Sequence, residues 1–305
     1  MDWNEIILEF CLDITIKGFS QITIKNYESK LKNSAFYFTE QGVEPLNINK
    51  SSINGWILHQ QYLKHQSSSI NVAVSRMKKL FDYIIDEGHL DINPFTKVSR
   101  LPERIKEIHP LNDSEIKNII DVARRHPYKH VGQRNVVILM IMLDCGLRVS
   151  EVTNLELRDV LTNQLIVRNS KNNKDRSVVI SPMLQKELIK YERIKKKKYG
   201  NMYGNHTFSP LLISSRGGRL NSKTIWQIMS EIKKSACIRD IVRFSGHTLR
   251  HTYASMQLRN GLDIYTLSLN LGHSSIQMTQ NYVRTLKTED FFDKSLKTST
   301  LMNLK

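Results

Sequence analysis

The sequence predicts a mainly α-helical protein of two domains, the second of them mixed α/β with a small antiparallel sheet. Three observations carry this reading. Apolar residues recur at helical spacing along most of the 305-residue chain. β-Rich runs occur only at 163–169 ("NQLIVRN") and 175–181 ("DRSVVIS"). Between residues 93 and 110 the stretch "NPFTKVSRLPERIKEIHP" carries three prolines and no apolar period, which reads as a break between domains. The length is sufficient for two separate cores.

The elements follow in order. "NEIILEFCLDI" reads as a first helix, and "TIKNYESKLKNSAFYFTEQG" as a second ending near Gly42. "INVAVSRMKKLFDYIIDEG" sets Ile70, Val74, Met77, Phe81 and Ile84 on one stripe, with Gly88 as its stop. Residues 1–95 thus form a compact four-helix unit, 96–110 an extended linker, and 111–305 the second domain. That domain opens at "LNDSEIKNII", where Asn112 and Glu115 have the spacing of a capping box. The two β runs flank "SKNNK", a polar, Asn-rich turn suited to a hairpin whose tip carries Lys171 and Lys174. Helices are expected at about 182–198, 222–236, 247–259, 263–270 and 275–284.

Composition excludes several classes. With 40% apolar and 24% charged residues the chain is ordinary for a globular protein. The opening "MDWNEIILEF" has two acids and no basic n-region, unlike a signal peptide. The longest apolar run, "VVILMIML" at 136–143, is too short to span a bilayer. Cys11, Cys145 and Cys237 form no CxxC pair, and their odd number argues against a disulfide framework; a reduced, cytoplasmic setting is expected.

Charge is more informative. Residues 1–100 hold 11 Lys/Arg against 11 Asp/Glu, whereas residues 101–305 hold 34 against 18, so the whole +16 lies in the second part. Such an excess calls for a polyanionic partner. The run "KYERIKKKKYG" (190–200) fits a solvated helix end as well as a binding surface. No basic amphipathic stretch with bulky aromatics supports a membrane surface, so nucleic acid is the expected partner.

The chemistry concentrates in "SGHTLRHTYA" (245–254). His247 and His251 are four apart and would share a helix face, as in zinc proteases. That motif needs Glu directly after the first His, where this chain has Thr248, and no Cys or carboxylate at ligand spacing completes a metal set. His251, beside apolar residues, reads as a satisfied core group. His247 and Arg250 are i, i+3 neighbours able to converge on one anion, the guanidinium offering a planar fork that matches two phosphate oxygens. Elsewhere "DCGLRVSEVTNL" puts Arg148 after a glycine turn, with Glu151 three residues on to hold the arginine or cap the helix. "NLGHSSIQMTQNYV" closes a helix at Gly272, leaves His273 in the turn, and places Tyr282 nine positions later in the next helix.

Taken together, "GLRVSEV", "HTLRH" and "LGHSSIQMTQNY" resemble the three sequence boxes of the tyrosine recombinase (phage integrase) family, and the layout is that of its plain two-domain, Xer-like or transposon-borne members. The resemblance is close over the second domain. For the first domain and linker it concerns layout only. It implies a helical core-binding domain over 1–95 and a catalytic domain over 111–305. It implies further that Arg148, Lys171, His247, Arg250 and His273 surround a scissile phosphate with Tyr282 as nucleophile. The activity implied is site-specific cleavage and rejoining of double-stranded DNA through a 3′-phosphotyrosine, in integration, excision or resolution.

These residue types suit that chemistry. Two arginines neutralise a phosphodiester as charge shifts to its non-bridging oxygens. A tyrosine, with an ordinary pKa of about 10, needs a base or a cationic setting to attack at neutral pH. His247 is a candidate for that proton, and the family assigns protonation of the leaving 5′-oxygen to the hairpin lysine, here Lys171, with Lys174 as the competing position. Bond energy is kept in the phosphotyrosine, so neither ATP nor a metal or other cofactor is expected. Two alternatives stay open: a type IB topoisomerase-like enzyme that relaxes DNA, and a DNA-binding regulator without catalysis. The tail "TLKTEDFFDKSLKTSTLMNLK" bears on the first. In recombinases this segment packs on a neighbouring subunit, and Phe291, Phe292 and Leu296 could supply that contact within a homo-oligomer, a tetramer on DNA. An ordinary terminal helix folded on its own domain is the competing reading. Accessory proteins are a further possible partner class.

Overall fold

The computed structural model describes residues 2–103, 109–168, 175–200, 209–273 and 275–283. By its contacts the chain divides into two compact units, Met1–Lys106 and Glu107–Lys305.

The first unit contains four helices, α1 (Trp3–Ile16), α2 (Gln21–Glu40), α3 (Lys50–Tyr62) and α4 (Ser67–Asp86). Side-chain caps fix where three of them start, Ser20 accepting from the Thr23 amide at α2. Asp2 accepts from the amides of Asn4 and Glu5, and Asn49 accepts from that of Ser52. Glycines at positive φ follow three of the helices, at Gly18, Gly42 and Gly88. The core is aromatic: Trp3 stacks on Phe38, and Phe81, Trp56 and Phe95 continue the cluster. Of the five stripe residues expected on α4, Met77, Phe81 and Ile84 lie in it, Val74 packs against it partly buried, and Ile70 is buried outside it.

The proline-rich stretch begins inside this unit. Phe95 is fully buried, and the buried Asn71 amide donates to the Leu101 carbonyl while its oxygen accepts the Leu101 amide. A buried amide side chain needs these partners, and the passing backbone supplies them. Residues 96–103 are therefore tied to the four-helix unit, and the division into units falls between 106 and 107.

The second unit runs α5 (Asp113–Arg124), α6 (Lys129–Asp144), α7 (Val149–Asn154), β1 (Gln164–Val167), β2 (Arg176–Val179), α8 (Pro182–Tyr199), α9 (Ser222–Ser235), α10 (Gly246–Arg259), α11 (Ile264–Leu271) and α12 (Ile276–Val283). The capping box at Asn112 and Glu115 is formed. β1 and β2 pair antiparallel, with Leu165 opposite Val178 and Val167 opposite Arg176. The turn at 170–174, with Lys171 and Lys174, lies outside the described residues. The apolar run 136–143 forms the centre of α6, which is buried against α5, α8 and α10. A helix apolar all round belongs in a core, and this one carries its C-terminal end to the site described next. No described helix is long and apolar enough to cross a membrane.

Candidate active site

Four chain segments meet at the C-terminal end of α6. The chain leaves that helix through Gly146, at φ +63°, where a Cβ would lie 2.3 Å from Tyr253 Cδ1. Only glycine fits a left-handed turn pressed so closely on a ring. Arg148 follows and starts α7. Its amide donates to Glu151 Oε2 at 2.8 Å and its Nη1 to Oε1 at 2.9 Å. Glu151 thus both caps the helix and holds the arginine.

The structure adds a residue that the sequence patterns do not mark. Arg176, at the start of β2, donates Nη1 and Nη2 to the two oxygens of Glu151 at 2.9 and 2.8 Å, and Nε to the Asn270 carbonyl at 2.8 Å. Nothing in "DRSVVIS" distinguishes it from any charged residue next to a strand. Its partner lies 25 residues away in sequence.

The second arginine comes from α10. Ser245 caps that helix through the Thr248 amide. Gly246 allows its first turn to approach α7: a Cβ there would lie 2.4 Å from Val149 Cγ2. Arg250 is 3% exposed and bridges two carbonyls, Nη1 to Gly146 at 2.7 Å and Nη2 to Leu271 at 2.6 Å. Its charge also pulls against the burial that raises the Tyr282 phenol. One side chain therefore ties the α6 exit to the α11 end.

The last segment is the turn between α11 and α12. Gly272 terminates α11 in the left-handed region, as the sequence suggested, and leaves His273 beyond it. His273 Nδ1 lies 2.8 Å from the fully buried Thr279 hydroxyl, and its ring stacks nearly parallel on Tyr282, 6.1 Å between centroids. Tyr282 is buried, its ring 4.9 Å from that of His251. His251 in turn meets His247 edge to face at 4.2 Å. His251 differs from the satisfied core group expected: it is half-buried, stands between His247 and Tyr282, and its buried Nδ1 has no hydrogen-bond partner among the described residues.

Three guanidinium groups around one carboxylate leave the site positive, and the titrating groups respond. Burial opposes ionisation of Glu151, but Arg176 and then Arg148 hold its pKa below the usual carboxylate value. Burial and the Arg148 charge bring Arg250 down to about 10. His273 is pushed down to about 4 by burial and then by Arg250, Arg148 and Arg176. His251 is pushed to about 4 by burial and then by His247 and Arg250. His247 lies at the exposed edge, its pKa lowered by partial desolvation and by Arg250 and Arg148. Burial raises the Tyr282 phenol, against the opposing pull of Arg250 and Arg148. All three imidazoles are thus shifted toward the neutral form, and the fixed cations are the arginines. Such a pocket suits an oxyanion that brings its own negative charge.

Arg148, Glu151, His247, Arg250, His273 and Tyr282 all gather here. Lys171 and Lys174, and the tail residues Phe291, Phe292 and Leu296, lie outside the described residues. Among the described residues no three His, Cys, Asp or Glu side chains converge as a metal cluster.

Comparison with known proteins places the chain among relatives of known family. The sequence pattern of the phage integrase family matches residues 110–289, and that of the phage integrase N-terminal SAM-like domain matches 9–88. A tyrosine recombinase XerC of Thermodesulfovibrio yellowstonii is 30% identical over 275 residues, covering 87% of this chain and 86% of the relative. The crystal structure of the XerH site-specific recombinase bound to palindromic difH substrate, a post-cleavage complex, superposes with a TM-score of 0.73 at 19% identity, covering 90% of this chain and 79% of that one. A lambda integrase tetramer bound to a Holliday junction gives a TM-score of 0.72 at 18% identity, covering 92% and 77%. At these identities the two structures speak for the fold.

Proposed function

As the chain belongs to the phage integrase family, we infer that it is a tyrosine-type site-specific DNA recombinase, cleaving and rejoining DNA strands through a 3′-phosphotyrosine on Tyr282. The observation that carries the reading is Tyr282, buried where the charges of Arg250 and Arg148 pull against the rise that burial gives its phenol. A binder without catalysis has no use for a buried tyrosine in the field of phosphate-binding arginines. The XerC relative, 30% identical, is a tyrosine recombinase.

The geometry supports the following course. A scissile phosphodiester docks against Arg148 and Arg250, which take up the charge that builds on its non-bridging oxygens. Tyr282 Oη attacks phosphorus and gives up its proton; the new bond is P–Oη, and the bond that breaks is P–O5′. The phosphate's negative charge offsets the arginines and returns His247 and His273 toward ordinary basicity, so that His247 can receive the phenolic proton, directly or through His251. The departing 5′-oxygen takes a proton from Lys171, the role that the family resemblance gives the hairpin lysine. Attack by the 5′-hydroxyl of a second strand reverses the step and releases Tyr282. The phosphotyrosine conserves the bond energy, so no nucleotide is consumed.

The partner is double-stranded DNA, and the protein acts as a homo-oligomer on it; the XerH structure is described as bound to a palindromic difH substrate and the lambda integrase structure as a tetramer bound to a Holliday junction. Within this reading the four-helix unit serves core-site binding and the tail after Thr288 contacts a neighbouring subunit. The working compartment is the cytoplasm, where chromosomal and mobile-element DNA is found. Truncation after Thr288 should spare binding of one half-site and weaken pairing of two; unchanged cooperativity on a band-shift titration would return the tail to its own domain.

The decisive experiment uses Tyr282→Phe and a nicked suicide substrate. The wild type should be trapped as a slow-migrating covalent adduct on a denaturing gel, and the variant should bind but form none. An adduct from the variant removes Tyr282 from the chemistry.

A further inference from the structure

Glu151 is an unusual neighbour for a phosphate site, because a buried carboxylate repels the ligand and competes for Arg148. Its environment answers both problems. Glu151 has a side chain only 6% exposed and accepts four hydrogen bonds, two from Arg148 and two from Arg176. Arg176, itself 11% exposed, directs all three of its nitrogens inward, two at Glu151 and one at the Asn270 carbonyl. Arg148 is more open, at 26%; it gives Glu151 one guanidinium nitrogen, and its Nη2 lies 3.4 Å from the Gly272 carbonyl. The positive charge of Arg176 is thus consumed by Glu151, and that of Arg148 is left facing the pocket.

Arg176 also shapes the turn that presents His273. Gly272 adopts φ +62°, and a Cβ there would lie 2.9 Å from Arg176 Nη1 and 3.1 Å from its Cζ. The guanidinium therefore fills the space directly beneath the turn, with the Asn270 carbonyl fixed on its Nε. From there the backbone leads straight to His273, whose Nδ1 meets Thr279 and whose ring lies nearly parallel to that of Tyr282, 6.1 Å between centroids.

We propose that Arg176 is a positioning residue of the recombination reaction, neutralising Glu151 so that Arg148 stays available to the phosphate and bracing the Gly272 turn so that His273 keeps its place alongside Tyr282. The proposal rests on the recombinase reading above. Without Arg176 the excess at the site drops from three cations against one anion to two against one. The buried carboxylate, left with Arg148 as its hydrogen-bonding partner, then draws the Arg148 fork further onto itself, because a half-satisfied buried charge is costly.

The experiment compares Arg176→Met, Arg176→Lys, Glu151→Gln and the Arg176→Met/Glu151→Gln double variant in single-turnover cleavage of a nicked suicide substrate. Half-site binding and thermal melting are measured alongside. Arg176→Met should bind a half-site nearly as the wild type does yet cleave roughly 100-fold more slowly, the order that a misplacement of about 1 Å costs. Adding Glu151→Gln should restore at least part of that rate, since a neutral amide no longer captures Arg148. A residue needed only for folding predicts the opposite, because the double variant then loses two supports. Arg176→Lys keeps the charge and loses the fork, and stands in if the Met variant melts too low; its maximal rate should drop while half-site affinity holds. Wild-type cleavage by Arg176→Met or Arg176→Lys, or a double variant no faster than Arg176→Met, overturns the proposal. If the wild type itself forms no adduct, the recombinase reading fails instead.

Discussion

Replacing Arg250 by lysine keeps a positive charge in the site and removes only the planar fork, which makes it a sharp test of how the site is held. Arg250 spans the Gly146 and Leu271 carbonyls with separate nitrogens at 2.7 and 2.6 Å, and it is 3% exposed. A single ammonium at the end of a narrower stem cannot bridge both. One buried carbonyl loses a charge-assisted partner, a cost of about 1.5–3 kcal/mol. For a unit of about 200 residues each kcal/mol lowers the melting temperature by roughly 2–4 °C, so a drop of roughly 3–12 °C is expected. The same change removes one donor to the phosphate, so cleavage should slow by about 10²–10³-fold. Circular dichroism melting and single-turnover cleavage of a suicide substrate read the two effects separately. An Arg250→Lys variant that melts with the wild type and cleaves at its rate would refute the bridging role and the mechanism built on it.

Other outcomes follow from the same site. His251 and His273 titrate near 4 in the folded protein against 6.5 as the ordinary value, so the unfolded chain binds more protons between those limits. Their contribution to stability is fully present above pH 6.5 and is lost as pH falls toward 4; melting temperature should already decline between pH 6.5 and 5, and a flat profile there contradicts the burial of these rings. Gly146→Ala should cost at least about 1–3 kcal/mol from left-handed backbone strain alone, beyond the overlap with Tyr253, measured as a loss of melting temperature with cleavage impaired through the displaced carbonyl. Lys171→Ala should cleave slowly on ordinary DNA but nearly as fast as the wild type on a 5′-bridging phosphorothiolate, since a thiol with a pKa of about 8.5 leaves without a general acid; rescue of Lys174→Ala instead would move the acid three residues along. Cleavage should persist in excess EDTA, and log affinity for duplex DNA should fall with log salt at roughly −0.9 per phosphate neutralised; activity lost in EDTA and restored by magnesium would point to another chemistry.

Local chemistry made much of this protein legible from its sequence. Helical periodicity, Asn112 with Glu115 and the glycine stops are short-range signals, and the helices they marked from residue 182 onward lie within a residue or two of the ranges read from them. The three motif boxes work for the same reason: each sets its side chains by spacing along one helix or turn, as with His247 and Arg250 on α10 or Gly272 and His273 after α11. Tertiary structure decided what depends on partners distant in sequence. The extended stretch after Phe95 is held by Asn71, thirty positions before Leu101, and nothing in its own composition shows that. Arg176 looks like any strand-edge charge until folding brings Glu151 and Asn270 around it. His251 reads as core because its neighbours are apolar, yet α12 places Tyr282 against it. The physical reason is common to all three. A sequence states which groups must find partners, since buried charge and buried polar atoms are costly alone, while the identity of the partner is set by packing between elements that no local pattern encodes.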